Sequence, residues 1–411
     1  MSERFGSYTL LERIGLGGMA EVFLARRAGV EGFEKDLVIK RIRPNLSATQ
    51  SFVDMFLTEA KIAAQLTHPN IVQIYDLGKI EESYFIAMEY IAGRDMSVVV
   101  PQAKTMGIPF PIEYALKIVS SVCEALYYAH TQTDAQARPL RIVHRDVSPE
   151  NIRVAWTGGV KILDFGIAKA ANQLHHTKAG EIKGKLSYMS PEQIMGKDLD
   201  HRSDIFSLGA VLYECITGLK LFSGENELAI MNNIVDGKTY PPSYFRDDVP
   251  HEVEAIVMKA LQKERKRRYQ SAIEMQLDID RFLASQEFTP SAIHLSNFLK
   301  QIFREEIAEE QQRRARQSTP PGSRAVRATP PPPPAMTPLP APPMAMQASE
   351  HGQPQPIDAA ELEALHSGVA GLTITFNPTE MQVLRRIARQ RERRLEDVVR
   401  EMVGHYLQYS G

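Results

Sequence analysis

Half of the prolines in this chain fall in about one tenth of its length. Of 26 prolines, 13 lie between residues 318 and 358, five of them in an unbroken run at 330–334. Proline has no backbone N–H and a fixed φ, so this stretch can be neither helix nor central strand. It divides the 411 residues into a long N-terminal part and a short C-terminal part. Residues 317–360 are therefore read as a disordered linker. Fully extended as polyproline II, about 40 residues reach roughly 120 Å, and as a flexible coil roughly 35 Å. Its proline pairs also suit a proline-reading module, a second use for the same segment.

The long part has the composition of a protein with a core. Over the chain 43% of residues are hydrophobic and 24% charged, which excludes a wholly disordered or collagen-like chain. Basic and acidic residues number 48 and 50, so no net field drives the chain onto nucleic acid or membrane. Cys123 and Cys215 are far apart and form no metal-ligand pattern, as expected of a reducing compartment. There is no apolar signal core at the N-terminus and no run of 18 apolar residues. The expectation is a cytoplasmic protein with no membrane partner.

Phosphate chemistry enters with the glycines. Gly15, Gly17 and Gly18 sit between two strand-like runs, residues 8–14 and 22–25. A glycine hairpin lets backbone amides approach phosphate oxygens. A strand follows the loop, whereas the dinucleotide fold requires a helix there. Residues 37–40 then form a strand ending in Lys40, and Glu59 follows inside a helical stretch at 52–66. A strand lysine held by a helix glutamate keeps its ammonium aimed at nucleotide phosphates.

After an apolar helix at 115–130 comes His144-Arg145-Asp146-Val147-Ser148-Pro149-Glu150-Asn151, and after the strand at 160–163 comes Asp164-Phe165-Gly166. Phosphoryl transfer needs a carboxylate at the acceptor hydroxyl, oxygen ligands for Mg²⁺ and cations along the phosphates. Asp146 suits the first task. Asn151 and Asp164 suit the second, because Mg²⁺ prefers hard oxygen donors.

Residues 8–284 thus resemble a eukaryotic-like bacterial Ser/Thr protein kinase. Gly15, Gly17, Lys40, Glu59, Asp146, Asn151 and Asp164 match that family's catalytic set. Met88-Glu89-Tyr90-Ile91, Ser190-Pro191-Glu192, the run from Asp204 to Gly209 and Arg268-Tyr269 match further. The resemblance implies an α+β bilobal kinase fold, with a small β-rich lobe and a large α-rich lobe, that uses ATP and Mg²⁺ on protein substrates. It implies that Gly15, Leu16, Gly17, Val22 and Val38 cover the nucleotide. Backbone groups of Glu89 and Ile91 would take adenine and Asp95 the ribose, while Arg268 would pair with Glu192.

The chain departs from the family at four places. Ser148 stands where the catalytic loop carries Lys, and Lys185 stands where Thr follows the glycine, here Gly184. These two read as an exchange, Lys185 supplying the cation that the loop lacks; otherwise Lys185 faces solvent and the chain is a pseudokinase scaffold. Val38 replaces Ala above the adenine and Arg153 an apolar residue beneath it. Arg153 either snorkels outward, covering the base with its stem, or weakens nucleotide binding.

In the expected activation loop Thr177 is the first phosphate acceptor and Ser187 the second, with Arg145 and Lys169 as partners for a phosphate. His175 and His176 lack further ligands nearby and are read as loop residues. Residues 293–309 read as an amphipathic helix with Leu295, Phe298, Leu299, Ile302 and Phe303 on one side, within a helical extension at 285–316.

Beyond the linker, Leu372, Ile374 and Phe376 alternate with Thr373, Thr375 and Asn377, and two helical patterns follow. Residues 370–411 resemble a ribbon-helix-helix module, whose strands pair between two chains and enter DNA. So small a unit buries little on its own, so a homodimer is expected. The outward strand face carries no Arg or Lys, the commonest base readers, and DNA contact stays open beside dimerisation. The leading function is a Ser/Thr kinase that autophosphorylates as a dimer. A pseudokinase scaffold and a DNA-binding regulator are the alternatives.

Overall fold

The computed structural model describes residues 3–29, 33–44, 46–47, 49–165, 184–318 and 394–395. The chain divides into two compact units, Met1–Gln312 and Arg313–Gly411, and the fold described here is that of the first. Thr177, Lys169, His175, His176 and, apart from residues 317–318 and 394–395, the linker and the C-terminal module lie outside the described residues.

The N-terminal lobe is an antiparallel sheet. Its strands are β1 (Glu3–Phe5), β2 (Tyr8–Leu16), β3 (Ala20–Ala28), β4 (Glu34–Ile42), β5 (Ile74–Ile80) and β6 (Ser83–Glu89), in the order β1-β2-β3-β4-β6-β5. Helix α1 (Gln50–Ala63) follows β4. The pleat sorts β4 residue by residue. Leu37 and Ile39 join Phe5, Tyr8, Leu10 and Phe85 on one face. Val38 and Ile42 join Val53, Phe56 and Ala60 of α1 on the other. Lys40 shares that second face by the same alternation, and the register sets it opposite Val22 of β3 and Ile86 of β6.

A second sheet, β7 (Gly93–Asp95), β8 (Ile152–Ala155) and β9 (Val160–Ile162), lies past the segment that joins the lobes. The large lobe is helical: α2 (Met96–Thr105), α3 (Ile112–His130), α4 (Pro191–Ile194), α5 (Arg202–Thr217), α6 (Glu227–Asp236), α7 (His251–Ala260), α8 (Ala272–Ser285), α9 (Ala292–Ile302) and α10 (Arg304–Ser318). Helices α3 and α5 are its centre. Leu116, Val119, Val122, Cys123 and Leu126 of α3 are fully buried, and almost all of α5 is inside, so neither has a solvent-facing polar side of ordinary width. Each such Leu, Ile or Val contributes about 1.5–3 kcal/mol by leaving water. Among the described residues no helix is long and apolar enough to cross a membrane.

The extension differs from the single helix expected at 293–309. The chain breaks at Phe303, which leaves helical geometry with φ −123° and ψ 29°, and α10 begins at Arg304. Leu295, Phe298, Leu299, Ile302 and Phe303 are all buried in the large-lobe core, and Ile307 joins them from α10. The turn at Phe303 lets its ring pack 5.5 Å from that of Trp156.

Candidate active site

The catalytic loop is held from beneath by a carboxylate. Asp204, on the first turn of α5, is 1% exposed. Its Oδ2 accepts the backbone N–H of His144 and its Oδ1 that of Arg145, both at 2.8 Å. His130 Nε2 lies 2.8 Å from Oδ2. Burial opposes ionisation of Asp204, but the His130 and backbone hydrogen bonds outweigh it and hold the carboxyl below its ordinary range. The sequence displayed Asp204 in a family motif without revealing this task, because the contact spans 60 residues.

His144 carries the loop's second tie. Its Nε2 donates to Leu163 O at 2.8 Å, while its Nδ1 accepts the Asp146 N–H at 3.3 Å. Those two bonds require a neutral ring. Burial drives the imidazole in the same direction, lowering its pKa. The His144 ring also packs on Phe165, centroids 4.6 Å apart. Two residues here adopt left-handed backbone, Arg145 at φ 67° and Asp164 at φ 39°. Such strain in non-glycine residues persists where surrounding bonds over-determine it.

Two side chains converge on Asp146, itself only 8% exposed. Asn151, in the 3-10 turn Pro149–Asn151, donates its Nδ2 to Asp146 O at 2.7 Å and to Oδ2 at 2.8 Å. Lys185 Nζ lies 2.8 Å from the same Oδ2. Lys185 thus turns toward Asp146, with 30% of its side chain exposed. Ser148 is 2% exposed, and its hydroxyl finds no hydrogen-bond partner among the described residues. Arg145, Asp146, Ser148, Lys185, Tyr188 and Met189 line one small depression.

Above this lies the ammonium of Lys40. It bonds Glu59 Oε1 at 3.0 Å and Asp164 Oδ1 at 3.0 Å. Burial alone would lower the Lys40 pKa; Asp164 and Glu59 outweigh it and raise it, so Lys40 is cationic. Asp164 and Asn151 are neighbours through the backbone, since Leu163 N–H donates to Asn151 O at 2.8 Å. Both hydrogen bonds of the Asn151 Nδ2 go to Asp146. Asn151 Oδ1 and the Asp164 carboxylate are hard donors of the kind a magnesium ion takes.

The expected nucleotide-covering residues frame the same cleft from the small lobe. Gly15 pairs with Val22 across the hairpin, and Gly17 N–H closes the turn on Ala20 O at 2.9 Å. Val38 is buried, while Leu16 at the tip is 52% exposed. At the end of β6 Glu89 N–H bonds Gln73 O. Ile91 is buried. Arg153 does not snorkel to solvent. Its Nε donates to Ile91 O, its Nη2 to Gly93 O and its Nη1 to Asp95 Oδ1, each at 2.8 Å. Asp95 is thereby engaged; burial raises its pKa against the pull of Arg153. Ser187 is 2% exposed, which shields its hydroxyl in this conformation.

Arg268 and Glu192 tie α4 to the segment before α8. Arg268 Nη1 and Nη2 reach Glu192 Oε1 and Oε2 at 2.6 and 2.8 Å, and Ser203 Oγ adds a bond to Oε1 at 2.7 Å. Burial would raise the Glu192 carboxyl, but the guanidinium outweighs it and holds it low.

A loop ordered around Asp146, a paired lysine and glutamate, and two lobes are the marks of the protein-kinase fold. The protein kinase domain family matches residues 8–278, and the chain belongs to that family. The chain is 43% identical over 309 residues to the tyrosine-protein kinase MasK of Myxococcus xanthus, covering 75% of this chain and 48% of that protein. It is 38% identical to the serine/threonine-protein kinase PknB of Mycobacterium leprae, covering 68% and 43%. It is 36% identical to the serine/threonine-protein kinase PrkC of Bacillus subtilis, covering 67% and 40%. The chain therefore spans less than half the length of these curated relatives. Among solved structures, the PknI kinase domain of Mycobacterium tuberculosis matches with a TM-score of 0.51 at 26% identity, covering 68% of this chain and 97% of that one. The family uses ATP and typically Mg²⁺ to phosphorylate proteins.

Proposed function

We propose that the chain transfers the γ-phosphoryl group of ATP to serine and threonine hydroxyls of proteins. The observation that carries this reading is the convergence of Lys185 and Asn151 on Asp146 beside a buried Ser148. Asp146 orients the acceptor hydroxyl and takes its proton as the oxygen bonds to the γ-phosphorus. The bond from that phosphorus to the bridging oxygen breaks, and ADP leaves. Lys185 takes the place of the missing loop lysine and offers its ammonium to the charge that develops on the transferred group. Lys40, positioned by Glu59, holds the phosphates. Glu89 and Ile91 read adenine through their backbone. Asn151 and Asp164 would hold magnesium, which supplies charge neutralisation at the phosphate oxygens.

Position 148 alone would favour a scaffold without activity. The inward turn of Lys185 favours an enzyme. Serine and threonine specificity follows the PknB and PrkC relatives. Tyrosine is the second reading, favoured by the printed name of MasK. Incubation with γ-labelled ATP and phosphoamino-acid analysis separates them: phosphoserine and phosphothreonine support the first, phosphotyrosine alone the second. The reading extends to autophosphorylation between two chains joined through residues 370–411, with Thr177 the acceptor. Wild-type protein phosphorylating a chain that carries Asp146→Asn tests that extension, and a dependence on residues 370–411 tests the joint.

A further inference from the structure

We propose that Glu310 is a positioning residue that latches the segment joining the two lobes and so sets the affinity for nucleotide. It rests on the reading of the interlobe cleft as a nucleotide site. Glu310 lies on α10, beyond the residues that the kinase family matches. Its two carboxylate oxygens take two donors from different parts of the fold. Tyr90 Oη donates to Oε1 at 2.8 Å, and Trp156 Nε1 donates to Oε2 at 2.7 Å. Tyr90 stands between Glu89 and Ile91, whose backbone faces the adenine in that reading. One helical turn earlier, Glu306 pairs with Arg94 of β7.

The base of this latch is anchored in the large lobe. Helix α9 is sunk into the large-lobe core through Leu295, Phe298, Leu299 and Ile302. Ser296 Oγ donates to Trp156 O at 2.6 Å. The turn between β8 and β9 approaches α9 so closely that a Cβ on Gly158 would lie 1.8 Å from Ala292 O; with φ at +85°, this position requires glycine.

The inner side of the same segment is braced by β8 and the turn after it. Arg153 Nε and Nη2 hold the carbonyls of Ile91 and Gly93, and Trp156 N–H holds that of Ala92 at 2.8 Å. Three successive carbonyls are thus fixed from within while Glu310 fixes the outward Tyr90. A segment ordered before binding costs the ligand less on association. A helix outside the kinase domain thereby reaches the nucleotide site without touching it.

Trp156 is the chain's single tryptophan, and it sits in the latch, so its emission reports on it. The test titrates full-length protein with MgADP, reading Trp156 emission and, independently, heat. Wild type, Glu310→Gln, Glu310→Ala and Tyr90→Phe are compared, with circular dichroism to verify folding. The expected result is a nucleotide-dependent change in wild-type emission, and MgADP affinity roughly tenfold weaker in Glu310→Ala. KM for ATP rises in step, while kcat at saturating ATP stays within about twofold. Tyr90→Phe deletes one hydroxyl oxygen and carries the test should Glu310→Ala not fold. Folded variants with wild-type MgADP affinity overturn the latch alone. A wild-type protein that binds no MgADP overturns the nucleotide site and the latch with it.

Discussion

Lys185 Nζ and Asn151 Nδ2 share one oxygen, Oδ2 of Asp146, at 2.8 Å each. Asn151 reaches it from the catalytic loop and Lys185 from the facing wall, 39 residues on. If Lys185 replaces the cation absent at position 148, Lys185→Ala lowers kcat by about 10²–10³-fold, the scale of one lost electrostatic stabiliser. Adding Ser148→Lys to that variant restores a large part. Steady-state kinetics on the single and double variants measure both effects, and an unchanged kcat in Lys185→Ala rejects the exchange.

The Arg268–Glu192 pair is buried on both sides, with side-chain exposures of 0% and 4%. Removing one partner strands a charge in the core. Arg268→Ala is expected to lose about 3–5 kcal/mol of stability, read from urea unfolding. Replacing the pair by apolar residues of similar volume is expected to lose much less, which separates a stranded charge from a lost attraction.

Asp200 gives the acid dependence. It accepts Arg202 Nε at 3.0 Å and Nη2 at 2.9 Å, and Arg265 Nη1 at 2.7 Å. Burial pushes the carboxyl up, but the Arg202 bonds and Arg265 pull it down to about 2. A carboxylate depressed by folding stabilises fully above its unfolded pKa of about 4, and that contribution fades as pH falls through the folded value. Asp200→Asn is therefore less stable than wild type at pH 7, and the gap narrows between about pH 4 and pH 2. Urea midpoints across that range check it; a gap independent of pH contradicts it.

What the sequence disclosed and what it concealed divide along a physical line. The apolar run at 37–39 marked a strand ending in Lys40, and the helical stretch that carries Glu59 was equally plain, because both signals are local. The helix at 115–130 and the apolar side of 293–303 were legible for the same reason. Arg153 was legible as an anomaly and illegible as a contact, since its partners lie 58 to 62 residues away. Glu310 offered no signal at all: an acidic residue in a charged helix looks solvated until Tyr90, 220 residues earlier, meets it. The break at Phe303 escaped for a related reason. Its periodicity is continuous across the turn, and the contact of Phe303 with Trp156 is one that no local pattern shows.

Phosphoryl transfer directed by Asp146 is measured by the passage of label from γ-labelled ATP to protein. Wild type is expected to label itself or an added acceptor protein, and labelling by Asp146→Asn, folded to the same degree, to fall by about 10³-fold or more. Equal labelling by both proteins, or none by wild type with magnesium present, would contradict it.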